Sequence, residues 1–280
     1  MTTPQMPRAM RRAAPFVLVA IVVFAGATFR VRYLEHEMMS RWRGSLEGGA
    51  VTAQATVDEW FTDREADAEA LAVSVAVHAP FSREGDGSPR FSSVLAPVAR
   101  RGKFVGAWVV DSAGGTLAST SADTLRAMER LAIAEALRSR RTSRSMVMPL
   151  GPHGALLAFV ARVHLTVPGT PGTHSPAAVV VRAEVVKSFA TWAGGRPNAA
   201  LSHFSTPASD GSLLISACPE QEIPVCISKE PAGSTTPATL ALAGKDTFGI
   251  FTWKQGQRVL AVTRFDRNLE WGVIDRKRHV

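Results

Sequence analysis

Three charged side chains sit inside runs of otherwise apolar residues, where a charge without a partner is costly. In the run Ala155 to Leu165, read as a strand of period two, Arg162 and His164 share a side with Ala158 and Val160, while Leu157, Phe159, Ala161 and Val163 form the other side. In the next run, Ala177 to Val186, Arg182 and Glu184 share one side. A guanidinium in such a place needs a bidentate partner, which a ligand carboxylate or phosphate would supply; the alternative is a rim position from which Arg162 snorkels to water. Arg182 and Glu184 either pair across with Arg162 as a structural ion cluster or form a pocket wall. Arg144, at the start of a short segment before these two, is a candidate of the same kind. Trp108 either lines a cavity beneath the same sheet or is core. The candidate ligand-binding set is therefore Trp108, Arg144, Phe159, Arg162 and Arg182.

Other chemistry is not signalled. The seven histidines never fall at metal-ligand spacing with one another or with cysteine, so neither a metal nor another cofactor is expected. There is no G-x-S-x-G, H-E-x-x-H, phosphate-binding loop or dinucleotide fingerprint, and no nucleophile beside a base, so an enzyme is not expected. Cys218 and Cys226 are the only two cysteines, separated by PEQEIPV between the apolar runs LLISA and CIS. That is hairpin spacing, open to a disulfide in an oxidising compartment or to two buried thiols.

The elements that would hold these residues centre on GKFVGAWVVDSAGGTLAST, Gly102 to Thr120: a strand, a turn at Asp111 to Gly115, and a second strand. A short amphipathic helix, Phe91 to Arg101, leads into it. SADTLRAMERLAIAEALRSRR follows, with Ser121 as expected N-cap and Leu125, Met128, Ala132, Ile133, Ala136 and Leu137 on one face, positioned to pack on the sheet. The basic run Arg138, Arg140, Arg141 and Arg144 at its C-terminal end complements the helix dipole. Strands are predicted near Ser145 to Pro149, over Ala155 to Leu165 and over Ala177 to Val186, with VPGTPGTHSP as a loop. A connecting helix at Lys187 to Trp192 and a boundary at GGRPN come next. Beyond them the pattern gives a hairpin at Ser212 to Ala217 and Val225 to Ser228, a helix at Pro237 to Ala243, and strands at Gly249 to Lys254, Arg258 to Arg264 and Glu270 to Asp275, with QGQ as a turn.

Before all this lies Ala13 to Phe29, an apolar run preceded by Arg8, Arg11 and Arg12. It is near the lower length limit for a membrane span and its arginines favour a cytoplasmic N-terminus; a signal peptide cleaved near Ala25-Gly26-Ala27 is the rival reading. Leu34, Met38, Trp42 and Leu46, then Val57, Trp60, Phe61, Arg64, Ala68, Leu71 and Val75, continue a helical pattern across Gly48-Gly49 as far as Pro80. The net charge of +8 over 280 residues is dispersed among acidic residues, with no basic helix or aromatic RNA-binding motif, so a nucleic-acid partner is not expected.

The sequence resembles the double Cache extracytoplasmic sensor region of bacterial signalling proteins. The resemblance rests on the order of its parts: a membrane helix, a stalk carrying Trp60, Phe61, Arg64, Ala68 and Leu71, the V-V-D-x-x-G-x-x-x-A-S hairpin of Val109 to Ser119, and the closing V-L-A-V-x-R-F and E-W-G-V-I of Val259 to Ile274. It implies an α+β chain of antiparallel, PAS-like modules: tail 1–12, transmembrane helix 13–29, stalk 30–80, membrane-distal module 81–190 and membrane-proximal module 191–280. It further implies a single-pass inner-membrane protein with residues 30–280 extracytoplasmic, a homodimer through the stalk, and a small-molecule ligand in the distal module. The function expected is sensory input to a receptor; the alternative is an anchored interaction protein with a ligand-free PAS-like fold. Amino-acid-binding members carry an Arg-x-Trp-Tyr run, which this chain lacks: its one tyrosine is Tyr33, in the stalk.

Overall fold

The computed structural model describes residues 8–78, 91–100, 103–150, 154–166, 174–185, 201–208, 211–217, 225–231, 235–253 and 256–278. One helix, α1, runs Arg8–His78 without interruption. By contacts the chain divides at its forty-seventh residue, into Met1–Glu47 and Gly48–Val280. In the first unit large apolar side chains from Phe16 to Phe29 are exposed, Phe16 at 78%. Among the described residues no helix is long and apolar enough to cross a membrane; the side chains at 8–15 and 17, inside or beside the expected span, lie outside the description.

The second unit holds two antiparallel sheets. The first is built from β1 (Gly106–Asp111), β2 (Thr116–Ser119), β3 (Ser143–Arg144), β4 (Met148–Pro149), β5 (Ala155–Thr166) and β6 (His174–Glu184), in the order β2-β1-β6-β5-β3 with β4 also paired to β5. Helix α2 (Phe91–Arg100) precedes it, and α3 (Ala127–Ser139) covers one face. Under α3, Leu125, Ala132, Ile133 and Ala136 pack on Trp108, Val110, Ala158, Val160, Ala178 and Val180, with Met128 and Leu137 at the margin, as the helical spacing predicts. The opposite face takes α1: Phe159 meets Trp60 and Phe61 edge to face at 5.8 Å from each.

The second sheet has the order β10-β11-β12-β7-β8-β9, from β7 (Leu201–Ala208), β8 (Gly211–Ala217), β9 (Val225–Pro231), β10 (Thr247–Thr252), β11 (Arg258–Asp266) and β12 (Trp271–Arg278). Helix α4 (Pro237–Leu242), capped by Thr236, buries Ala238 and Ala241 against Leu214, Ala261 and Ile274. Phe61 of α1 also lies 5.2 Å from Trp271 of β12, so neighbouring aromatics of one helix contact both sheets.

Several expectations need correction. Ser121 does not cap a helix: its hydroxyl accepts from the Asp123 N–H in a local turn, and α3 begins only at Ala127. The strand expected at 145–149 is two short pieces, because Ser145 turns its hydroxyl to accept the Ala158 N–H between them. His174, Ser175 and Pro176, assigned to a loop, pair with Thr166, Leu165 and His164. Strand β7 was not anticipated. It buries His203, Ser205 and Thr206 between β12 and β8, so no apolar alternation marks it. The helix at 187–192, the boundary at GGRPN and Cys218 fall outside the described residues.

Candidate functional site

Arg182 is the most elaborately held of the candidate residues. Only 1% of its side chain is exposed, and Glu129, fully buried, grips it from α3 by two bonds: Nε donates to Oε1 at 2.7 Å and Nη2 to Oε2 at 2.8 Å. Nη1 donates to Asp123 Oδ2 at 3.2 Å, Nη2 to the Thr124 carbonyl at 3.2 Å, and the guanidinium stacks on the Trp108 ring at 4.4 Å. The indole N–H in turn donates to the Asp123 carbonyl at 3.2 Å. Gly106 makes the stacking possible, since a Cβ there would sit 2.4 Å from the Trp108 ring. Glu129 has a second duty: its Oε2 accepts from the Arg126 N–H at 2.6 Å, closing the start of α3, which has no serine, threonine or aspartate at its N-cap.

A different arrangement surrounds Arg144. Its guanidinium stacks on Phe61 of α1 at 5.0 Å, lies 3.6 Å from Glu65, and donates to the Asn268 carbonyl in the turn between β11 and β12. One side chain thus spans an edge of the first sheet, α1 and a turn of the second sheet. Beside it opens a cleft of about 560 Å³, lined by Asp58, Phe61, Thr62 and Glu65 from one face of α1, Arg144 from β3, and Asn268. Spacings of three, four and seven residues put the four α1 side chains on that face.

The carboxylates here are crowded. Asp58 is pushed up to about 6, first by burial, then by the charge of Asp266 and the hydrogen bond to it, with Arg144 opposing. Burial also raises Glu65; Arg144 works against it and Glu69 with it. For Asp266 burial acts upward but loses to the Leu269 N–H, the Gln54 amide, the Asn268 N–H and the bond from Asp58, which together hold it below the usual range.

The five candidate residues are therefore dispersed. Trp108 and Arg182 meet under α3; Phe159 is on the other face of the sheet, against α1; Arg144 lines the cleft. Arg162 donates to the Leu137 carbonyl at 3.3 Å. The suggested pairing of Arg162 with Arg182 and Glu184 does not form. Register places Arg162 opposite Ala178 and Arg182 opposite Ala158, four residues further along β6. Glu129 and Asp123, which take that role, were missed, although Glu129 three residues after the true N-cap is the pattern of a capping glutamate. Cys226 is disulfide-bonded.

No family model matches the sequence, and neither does any curated protein. Solved structures do match. The extracellular domain of the putative histidine kinase mmHK1S-Z2 is similar with a TM-score of 0.55 at 10% identity, covering 85% of this chain and 97% of that one. The ligand-binding domain of Mlp24, solved with asparagine, gives 0.55 at 12% identity over 84% and 91%. That of the Pseudomonas fluorescens chemoreceptor CtaA, in complex with L-serine, gives 0.52 at 10% identity over 87% and 98%. These likenesses establish the fold: it is the one shared by this histidine-kinase extracellular domain and these two ligand-binding domains, consistent with the double Cache resemblance of the sequence.

Proposed function

We propose that this chain is the extracytoplasmic, small-molecule-sensing region of a membrane-anchored signal-transduction receptor. The observation that carries the reading is the fold shared with chemoreceptor and histidine-kinase sensor regions over more than four fifths of the chain. A solute that favours one packing of a module against α1 would shift a two-state equilibrium by its differential affinity for the two packings, and α1 would carry the difference. The anchor in this reading is residues 13–29 in the bacterial inner membrane, supported by the exposed apolar side chains from Phe16 to Phe29 and the arginines before them. In this reading the modules are 81–190 and 191–280, a division supported by one antiparallel sheet lying in each range, and α1 pairs with its counterpart in a homodimer. Cys226 pairs with Cys218, and intact mass before and after reductant tests this: a gain of two hydrogens supports it, no change removes it.

The test of function is a thermal-shift screen of the full chain in mild detergent against amines, organic acids and amino acids. A solute that raises Tm in proportion to the logarithm of its concentration supports sensing, and no response across the classes overturns it. One observation favours the second reading, a ligand-free interaction protein: Glu129 and Asp123 already satisfy Arg182 from within the fold. Under that reading the screen gives no shift. Arg162→Ala distinguishes an Arg162 site, since loss of the response would place Arg162 in it and an unchanged response would exclude it.

A further inference from the structure

We propose that the solvent face of α3, with the arginines that follow it, is a docking surface for an acidic segment of another polypeptide. The helix turns Glu129, Ala132, Ile133 and Ala136 inward. Its opposite face presents Leu131, 64% exposed, between Ala127 and Ala134. Arg130, Arg138, Arg140 and Arg141 are exposed around it, and Arg126 is half-buried at the start of the helix. The carboxylates that could neutralise these arginines are mostly engaged elsewhere. Glu129 is buried on Arg182, Asp123 is bonded to the same guanidinium, and Glu69 of α1 accepts from the Thr142 hydroxyl. Glu135 is paired with Arg138 alone. The outer face is left with an excess of positive charge.

The needs of the helix explain only part of this charge. Arg138, in the last turn, complements the dipole. Arg126 and Arg130 stand at the opposite end, where the dipole is positive and a cation is disfavoured. Arg140 takes φ 60° and ψ 21° as α3 ends, the left-handed conformation that glycine adopts without steric cost. In both places an arginine stands against its own backbone preference, and such departures are expected where function selects the residue. The face also selects its occupant. A second copy of this chain would set the same basic face against itself, which like charges oppose. A lipid surface needs a broad apolar face to enter the headgroups, and here the alanines leave Leu131 as the single large one. An apolar centre rimmed by arginine forks fits carboxylates flanking an aliphatic side chain. This surface does not depend on small-molecule sensing, and either reading can fail alone.

Fluorescence anisotropy of the full chain in mild detergent tests this, with a labelled synthetic peptide of glutamate and leucine as the probe. The same peptide with lysine in place of glutamate is the control. We expect the acidic peptide to bind and the basic one not to, with affinity falling severalfold as salt rises from about 0.05 to about 0.5 M. The triple variant Arg130→Gln, Arg138→Gln, Arg140→Gly should bind about tenfold more weakly. A second triple at exposed positions beside or within the other sheet, Lys245→Gln, Arg258→Gln, Arg267→Gln, removes the same charge and should leave affinity within about twofold of wild type. Arg140→Gly on its own should raise Tm or leave it unchanged while affinity falls, which a purely structural role would not produce. Leu131→Ala should weaken binding severalfold. No binding of the acidic peptide, equal weakening in the two triples, or affinity unchanged in Arg140→Gly or in Leu131→Ala overturns the proposal. Tighter binding to phosphatidylglycerol vesicles than to the peptide also overturns it, and would make the face a lipid contact.

Discussion

Arg182 and Glu129 illustrate how a charge is kept inside an apolar layer: four hydrogen bonds to the guanidinium come from α3 and the turn before it, and Trp108 stacks on its face. Arg182→Met leaves the Glu129 carboxylate buried with its partner gone. Urea denaturation should then show a loss of about 3–5 kcal/mol. Adding Glu129→Gln should restore part of it, because glutamine still accepts from the Arg126 N–H and carries no charge. Asp58 makes a second prediction. Its carboxyl is raised in the fold from 3.8 to about 6, so the protonated form stabilises the native state, and that contribution is full below 3.8 and lost as pH rises through 6. Asp266 is lowered, so its contribution runs the other way and disappears only in more acid solution. Asp58→Asn should therefore melt above wild type at pH 7.5, with the gap closing by about pH 4; a gap that does not change with pH would refute the assignment. At this scale the sequence was half legible. It showed that Arg182 faced an apolar layer, but the answering carboxylates are 53 and 59 residues away, and no periodicity connects them.

Element by element, legibility followed burial. The face of α3 and the strands β1, β5 and β11 could be read because apolar residues recur at the period of each structure. Strand β7 could not, since its inward positions are His203, Ser205 and Thr206, with Ser205 donating to the Ala238 carbonyl at 3.2 Å to settle on α4. The pair Gly48-Gly49 reads in sequence as a weak point, yet α1 passes through it unbroken. The two glycines have different reasons. A Cβ on Gly49 would lie 1.9 Å from Asp275 Oδ2 of β12, whereas nothing stands within 4 Å of one on Gly48. Gly48→Ala should therefore stabilise by about 0.5–1 kcal/mol through helix propensity, while Gly49→Ala should destabilise despite the same propensity gain. Thermal melts of the two variants side by side decide it, and equal shifts would mean that α1 does not approach β12 so closely.

For the molecule as a whole, the order of parts proved more informative than any single motif. Hairpin, helix and long strands gave the first sheet, and a shortened version of the same grammar gave most of the second, while the clustering of the binding candidates was not recoverable: four of the five sit on three different surfaces. Side-chain faces are fixed by alternation along each strand, but which face meets which element is decided by tertiary packing. The strand order also has a consequence for how the protein is made. Every strand of the first sheet has been synthesised once Glu184 is translated, well before β7 begins. In the second sheet β12 lies between β11 and β7, so β7 to β9 and β10 to β11 emerge as two separate ribbons with open edges, and only residues 271–278 join them. Biogenesis is therefore staged, and the interval before that last strand arrives is when the nascent chain is most exposed to wrong pairing and most in need of a chaperone.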